Sequence, residues 1–233
     1  MYLKLAIVNN SGNVGKTTIC HTLLKPRFDG AEIIKIETLN SDGTNDEKLS
    51  AKEFDEVIRR IDDSECTIID VGSSNIEQFL VQMNEYQGSH DLIDYFIVPV
   101  VREAKQQADS IQTIKTLIAM GVEAARFKVI FNLAEKDIPI NKQYSIFLDN
   151  DLCKSIAGEN PPVVYHNNIF NILNKSGLTY DEVYNDDRDF RTLIRNAASK
   201  EERQELSNLR TVKMLMNGFH SDLDIAFSNL SFA

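Results

Sequence analysis

The fold of this chain is decided by the stretch Asn9-Asn10-Ser11-Gly12-Asn13-Val14-Gly15-Lys16-Thr17-Thr18. Apolar residues 3–8 precede it and apolar residues 19–24 follow it, which predicts a strand, a loop and a helix in that order. This is the arrangement of a phosphate-binding loop, in which glycines let the main chain approach an oxyanion and helix N–H groups point at it. Lys16 would then bridge the β- and γ-phosphates, and the Thr17 hydroxyl would bind Mg²⁺.

The loop departs from the usual pattern at one position, since Asn10 stands where the first glycine is expected. Asparagine tolerates left-handed backbone angles better than most residues, so the loop can still form. The alternative is an ordinary glycine-rich turn that caps a helix. A dinucleotide-binding fingerprint fits less well, because it needs glycine at positions 10 and 12 as well as 15 and leaves Lys16 unexplained.

Composition sets limits on the class of protein. The 233 residues, with 42% hydrophobic and 26% charged, predict a globular protein with one large α/β domain, either alone or with a small appendage. No apolar run approaches the roughly 20 residues of a membrane span, and the first residues lack the plan of a secretory signal. We therefore expect a cytoplasmic protein without a membrane span. The three cysteines are scattered, which indicates neither a disulfide framework nor a zinc site.

The net charge of −10 argues against a surface that embraces nucleic acid as a whole. A local patch is still conceivable, because residues 187–213 hold seven basic and five acidic side chains, a balance of +2. A solvated helix face with mixed charges is the more ordinary interpretation. Direct binding of DNA thus stays open at the level of sequence.

The remaining chain alternates between β-type and helical patterns. After residues 3–8, strands are predicted at 31–37, 66–70, 95–101, 127–131 and 161–165, with amphipathic helices such as 109–120 between them. This alternation predicts an α/β fold with a doubly wound, mainly parallel sheet and a ligand at the carboxyl ends of its strands. Residues 1–175 would form the nucleotide-binding domain. Residues 176–233 would form a helical extension that packs on this domain or on a partner.

Polar residues stand where several of these strands end. Asp70 ends an apolar strand about fifty residues after the loop, as a Walker B carboxylate does, and would hold Mg²⁺ through a water. The alternative is a structural aspartate that caps a helix or forms a turn. Gly72 follows the same strand two residues after Asp70, while Glu37 and Asn132 stand at the ends of two other strands of the predicted sheet. Because parallel strands end at one edge, we expect all of them to converge on one nucleotide.

These motifs together resemble the ParA/MinD type of deviant Walker A ATPases, and within it the StbB plasmid-stability family. The resemblance is carried by residues 11–18, by Ile69-Asp70-Val71-Gly72, by Val98-Pro99-Val100 and by Phe131-Asn132. It covers residues 1–132 well and the last hundred residues poorly. It implies a P-loop fold and an ATP- and Mg²⁺-dependent switch that forms a homodimer on ATP binding. A DNA-binding adaptor would be its partner in plasmid stability or partition.

The resemblance also implies roles for particular residues. Lys16 would contact phosphate, Thr18 the α-phosphate and Asn132 the adenine, while the Gly72 amide would sense the γ-phosphate. Glu37 would orient the attacking water, with Asp42 as the second candidate. The implied metal ligands are Thr17 and Asp70. The implied catalytic residues are Lys16, Glu37 and Asp70. The implied nucleotide-binding residues are Ser11, Gly12, Asn13, Val14, Gly15, Lys16, Thr17, Thr18, Gly72 and Asn132.

One position departs from the family pattern. ParA-type proteins place a second lysine where this chain has Ser11, and that lysine reaches the phosphate of the partner subunit. An analogous arginine finger is worth about 10³–10⁵ in rate, so its loss predicts slow hydrolysis. The Ser11 side chain would project toward the same place.

Two other functions are compatible with the sequence. The first is a non-hydrolysing adaptor that binds ATP to fix a shape, which the departures at Asn10 and Ser11 would suit. The second is an ATP-dependent ligase of the dethiobiotin synthetase type. That enzyme would need basic residues for an acidic substrate, and the nearby candidates are Lys35, Arg102 and Lys105. Steady phosphate release without a small substrate would separate the switch from both.

Overall fold

The computed structural model describes residues 2–36, 48–49 and 54–232 of the chain. A single sheet of seven strands lies at its centre, with the order β3-β2-β4-β1-β5-β6-β7 and with every neighbouring pair parallel. This confirms the predicted α/β fold with a doubly wound parallel sheet. The strands are β1 Leu3–Ile7, β2 Glu32–Ile36, β3 Lys48–Leu49, β4 Cys66–Val71, β5 Tyr95–Val100, β6 Phe127–Ala134 and β7 Val163–Tyr165.

Helices connect the strands and form the last part of the chain. The helix after the loop starts as α1 and continues in π-helical geometry over Ile19–Leu24, before a short turn at Lys25–Arg27 that contains Pro26. The helices are α1 Lys16–Thr18, α2 Phe54–Asp63, α3 Ile76–Glu85, α4 Ala104–Ala119, α5 Ile140–Gln143, α6 Ser145–Leu148, α7 Asp151–Ala157, α8 Ile169–Ser176, α9 Tyr180–Tyr184, α10 Phe190–Asn196 and α11 Lys200–Ser228.

The central position of β1 places the glycine-containing loop. β1 lies between β4 and β5, and all five of its residues are buried. The chain leaves β1 toward one side of the sheet and later returns to the other, so the winding direction changes beside this strand. In doubly wound sheets a ligand binds at such a switch point, at the carboxyl ends of the strands. Ile7 is the register partner of Asp70, so the loop after β1 begins level with that carboxylate.

Some element boundaries differ from those predicted. Helix α4 begins at Ala104, five residues before the predicted start at residue 109, because residues 104–108 are helix formers without an apolar stripe. Strand β6 continues to Ala134 through a register shift at Leu133, whose φ is 57°. A seventh strand, β3, was not among those predicted. Within the predicted helical extension, α11 is one long helix that continues through Gly218 to Ser228.

By its internal contacts the chain divides into two compact units. The first contains residues 1–165 together with residues 226–233, and the second contains residues 166–225. In this grouping residues 166–175 go with the helices that follow them, and the described residues 226–232 belong to the unit that contains the sheet. Within the ranges described above, no helix is both long enough and apolar enough to cross a membrane.

Candidate functional site

The loop between β1 and α1 takes its shape from two residues in left-handed conformation. Gly15 has φ 84° and ψ 24°, and a Cβ placed on it would lie 2.3 Å from Nδ2 of Asn132. Asn13 has φ 59°, whereas Asn10 does not need a positive φ. We expected asparagine's tolerance of left-handed angles to matter at Asn10, but it is Asn13 that adopts such an angle. Only glycine satisfies both requirements at position 15.

The Lys16 side chain folds back over the loop. Its Nζ donates to the carbonyl oxygens of Asn9, at 3.1 Å, and of Ser11, at 2.9 Å, and the side chain is 7% exposed. Burial lowers the pKa of the Lys16 ammonium to about 8, and the charge of nearby Asp70 partly opposes this shift. A buried cation held by main-chain carbonyls can exchange them for phosphate oxygens, which carry full charge.

Thr17 and Asp70 meet beside this lysine. The Thr17 hydroxyl donates to Oδ2 of Asp70 at 2.7 Å, and Asp70 is 3% exposed near the end of β4. A hydroxyl and a carboxylate side by side are the protein ligands that Mg²⁺ takes when phosphate and water complete its shell. The residues that the structure describes contain no group of three or more His, Cys, Asp or Glu arranged for a metal. The donor set thus fits Mg²⁺ held partly by a phosphate ligand.

Asn132 supports the loop from β6. Its Nδ2 donates to the carbonyl of Val14 at 2.8 Å, and its own carbonyl accepts from the Tyr144 hydroxyl at 2.8 Å. Tyr144 is fully buried and stacks on Phe131 with a centroid distance of 4.4 Å. The sequence predicted that Asn132 lies at the carboxyl ends of the strands, but it gave no sign that the Asn132 amide faces the loop. The contribution of Tyr144 was missed, because a single tyrosine between two short helices has no distinguishing pattern.

Other predicted site residues are placed as follows. Gly12 lies close to Ser73, since a Cβ on it would be 3.3 Å from that hydroxyl. The Thr18 side chain is exposed within α1. The Gly72 amide donates to the Ile36 carbonyl at 2.9 Å, where β4 and β2 end. The candidates for orienting water, Glu37 and Asp42, lie outside the described residues.

Helix α4 holds the start of the loop through three side chains. Ser110 accepts from Nδ2 of Asn9 at 2.7 Å, Thr113 accepts from the main-chain N–H of Asn10 at 3.1 Å, and Asp109 accepts from the Ser11 hydroxyl. These three residues share one face of the helix. Sequence reasoning missed them. Small polar residues inside an amphipathic pattern were the only available signal.

Ser11 itself differs from the expectation. Its side chain is 7% exposed and its hydroxyl binds Asp109, so it faces α4 and does not project from the loop. The buried Asn9 amide explains this orientation, because its Oδ1 accepts from the Ser11 N–H at 2.8 Å and turns the main chain. A lysine at position 11 would meet the Asp109 carboxylate before it could reach a second subunit.

Comparisons with known proteins are limited. No protein-family model matches the sequence, and no curated protein is significantly similar to it. Among solved structures, the chain is similar to a variant of McdA from Cyanothece in complex with ATP, with 13% identity and a TM-score of 0.46. That alignment covers 93% of this chain and 97% of the other. A likeness of this size supports no inference about site or activity.

Proposed function

We propose that this protein binds ATP with Mg²⁺ and hydrolyses it slowly, as a switch in plasmid stability or partition. The observation that carries nucleotide binding is the convergence of the Lys16 ammonium, the Thr17 hydroxyl and the Asp70 carboxylate at a glycine-containing loop. The process, the homodimer and the DNA-binding adaptor rest on the resemblance of the sequence motifs to the StbB and ParA/MinD type.

The chemistry assigned to the chain follows from these contacts. Lys16 gives up the carbonyls of Asn9 and Ser11 and binds the β- and γ-phosphates, which restores a charged partner to a buried cation. Thr17 and Asp70 would hold Mg²⁺, which would neutralise phosphate charge. Asn132 keeps the carbonyl of Val14 turned away from the phosphate side, so that the loop presents N–H groups. The Gly72 amide would sense the γ-phosphate only by releasing Ile36.

Slow hydrolysis is part of the proposal. The family lysine is replaced by Ser11, and this side chain is buried against Asp109. No cation therefore comes from position 11 to stabilise the transferring phosphate. The ligase alternative receives less support, since Arg102 forms an ion pair of 3.0 Å with Glu135. That pairing competes with the acidic substrate which a ligase would have to hold there.

Thermal unfolding with and without Mg²⁺–ATP tests nucleotide binding. A ligand at about 100 times its Kd stabilises the folded protein by roughly 2.7 kcal/mol, so the melting temperature should rise. Lys16→Ala should abolish the rise. Lys25→Ala is the matched control, because it removes an exposed lysine shortly after the same helix. An unchanged melting curve of the wild type at millimolar ATP would refute the assignment.

A second measurement concerns the metal and turnover. Asp70→Ala should weaken binding of ATP in the presence of Mg²⁺ more than in its absence, because the carboxylate acts on the metal. Equal losses would favour a structural aspartate. Steady phosphate release without any small substrate would support the switch, whereas binding without release would favour the non-hydrolysing adaptor.

A further inference from the structure

A groove of about 490 Å³ lies between α3 and α4, beside the start of the loop. Its α3 wall includes Val81 and Glu85, its α4 wall includes Thr116 and Met120, and Asn10 closes one end. Of these residues, only Asn10 was part of the site described above, through its main-chain N–H. The groove lies wholly within the first compact unit.

The walls have the geometry of a seat for a helix. Glu77, Val81 and Glu85 follow one another at intervals of four residues along α3. Gln112, Thr116 and Met120 have the same spacing on α4, with Met120 as the residue directly after its last turn. Rows of this spacing form the ridges between which a third helix packs. Eight residues of helix span about 12 Å, so the seat accommodates about two turns of an occupant. Val81, 53% exposed, supplies the apolar contact at the middle of the α3 row.

The charge of the lining specifies the occupant further. Glu77 and Glu85 are its ionisable residues, and no lysine or arginine of the described chain lines the groove. At its end, Oδ1 of Asn10 is buried and has no hydrogen-bond partner among the described residues. A buried acceptor is satisfied only by a donor. Carboxylates on the rim and an acceptor at the end both favour a ligand that carries N–H donors and positive charge.

We propose that this groove binds a short, basic amphipathic helix of a partner protein. The helix would place an apolar side chain against Val81 and lysine or arginine side chains four residues to either side, opposite Glu77 and Glu85. One donor would reach Oδ1 of Asn10 once the bound helix shifts that side chain, because this oxygen is buried in the free protein. A nucleic acid is a poorer occupant, because both glutamates repel its phosphate backbone.

The position of Asn10 connects this groove to the loop. The Asn10 main-chain N–H donates to Thr113 of α4 at 3.1 Å, and the same residue lines the groove. An occupant that moves Asn10 or α4 must therefore change the loop. This step rests on the proposed function, and it implies that helix binding and Mg²⁺–ATP binding change each other's affinity by the same factor.

The test uses the full chain without nucleotide and a labelled alanine-based helical peptide with Lys-Leu-Lys at intervals of four residues. Fluorescence anisotropy should show saturable binding. Glu77→Lys with Glu85→Lys should weaken it at least about tenfold, and Val81→Gln at least about fivefold. Glu123→Lys with Glu159→Lys is the matched control, because it makes the same change of net charge at exposed sites, and it should retain the wild-type Kd. The same peptide with Glu in place of Lys should not bind.

Several outcomes would overturn the proposal. Equal weakening by the control pair would show attraction to net charge alone, and wild-type binding by Val81→Gln would remove the apolar seat. Self-association that Val81→Gln abolishes would assign the groove to a second copy. Nucleotide coupling is read separately: Mg²⁺–ATP should shift the peptide Kd in the wild type and not in Lys16→Ala. Peptide binding by a wild type that fails to bind ATP would retain the groove and refute the proposed function.

Discussion

At the residue scale, the loop depends on positions where two independent constraints restrict which residue can be present. Gly15 is the clearest, because its φ of 84° and the nearby Asn132 both exclude a larger residue. Gly30 shares only the first constraint, since its φ is 71° and nothing lies within 4 Å of its added Cβ. The pair therefore separates backbone strain from the packing of Asn132 against the loop.

We expect Gly15→Ala to cost more than Gly30→Ala and to lose ATP binding. Both changes place a Cβ in the left-handed region, at about 1–2 kcal/mol. Gly15→Ala must in addition displace Asn132 from Val14, which removes a hydrogen bond worth about 1 kcal/mol. Denaturant unfolding measures the stability of each variant, and the thermal shift by Mg²⁺–ATP measures binding. Equal destabilisation with retained binding in both variants would contradict the role of Asn132.

Lys16 predicts a coupling between nucleotide and protons. Its pKa of about 8 means that about half of the free protein lacks this charge near pH 8. Phosphates bind the ammonium form and should raise its pKa, so the protein should take up protons on binding Mg²⁺–ATP. The terminal phosphate has a pKa of about 6 and contributes little at that pH. Calorimetric titrations near pH 8 in buffers of different ionisation enthalpy measure the uptake, and Lys25→Ala should preserve it.

In the absence of nucleotide, the lowered pKa of Lys16 also determines how the stability of the protein changes with pH. Between about pH 8 and the ordinary value of 10.5, the unfolded chain holds the Lys16 proton more strongly than the folded chain does. The contribution of Lys16 to stability therefore rises with pH through that window. A variant Lys16→Met should lack this rise. A buffer-independent binding enthalpy near pH 8 would contradict the low pKa.

Residues of this kind were only partly predictable. Gly15, Lys16 and Thr17 follow a local spacing, Asp70 ends an apolar strand, and the structure places Asp70 beside Thr17. The orientation of Ser11 depends on Asp109, nearly a hundred residues away, and no local pattern reports such a contact. Long-range side-chain hydrogen bonds are thus the part of the site that sequence reasoning could not supply.

At the element scale, α4 is the structural support of the loop. It was predicted as a helix from its apolar stripe, but its first turns and its polar contacts were not. The apolar stripe predicts only which side of α4 faces the core. Ser110 and Thr113 are fully buried polar residues, and they are satisfied by the loop and by carbonyls of their own helix.

We expect Thr113→Val to weaken ATP binding without unfolding the helix. The change is nearly isosteric, but it removes the acceptor of the Asn10 N–H, at about 1 kcal/mol. If that cost falls on the ligand-bound loop, affinity decreases by about fivefold. Thr116→Val is the control, because it removes a hydroxyl of the same helix that does not contact the loop. Unaltered affinity in Thr113→Val would show that the loop keeps its shape without α4.

At the scale of the whole molecule, the parallel sheet separates two ends with different roles. The carboxyl ends carry the loop, Asp70 and Asn132, whereas the amino ends are covered by the last residues of the chain. Phe232 contacts Tyr95, the first residue of β5, and the Ser231 carbonyl accepts from Lys128 near the start of β6. The alternation of strands and helices predicted this sheet. The docking of residues 226–232 has no periodic signal and was visible only as apolar content.

Leu230→Ala should therefore lower stability and leave nucleotide affinity unchanged. Leu230 is 1% exposed, and its truncation should cost about 2–5 kcal/mol through lost burial and a residual cavity. Because it lies at the amino ends of the strands, the effect should appear in the thermal transition that Mg²⁺–ATP shifts, which reports the first compact unit. Leu152→Ala is the control, since Leu152 is 37% exposed on α7 and the same truncation should be nearly neutral there. Calorimetric Kd values for Mg²⁺–ATP, measured at a temperature where all three proteins are folded, should agree among the wild type and the two variants. If Leu230→Ala alone bound Mg²⁺–ATP more weakly, the covered amino ends of the strands would influence the loop across the sheet. That result would contradict separate roles for the two ends of the sheet in stability and in binding.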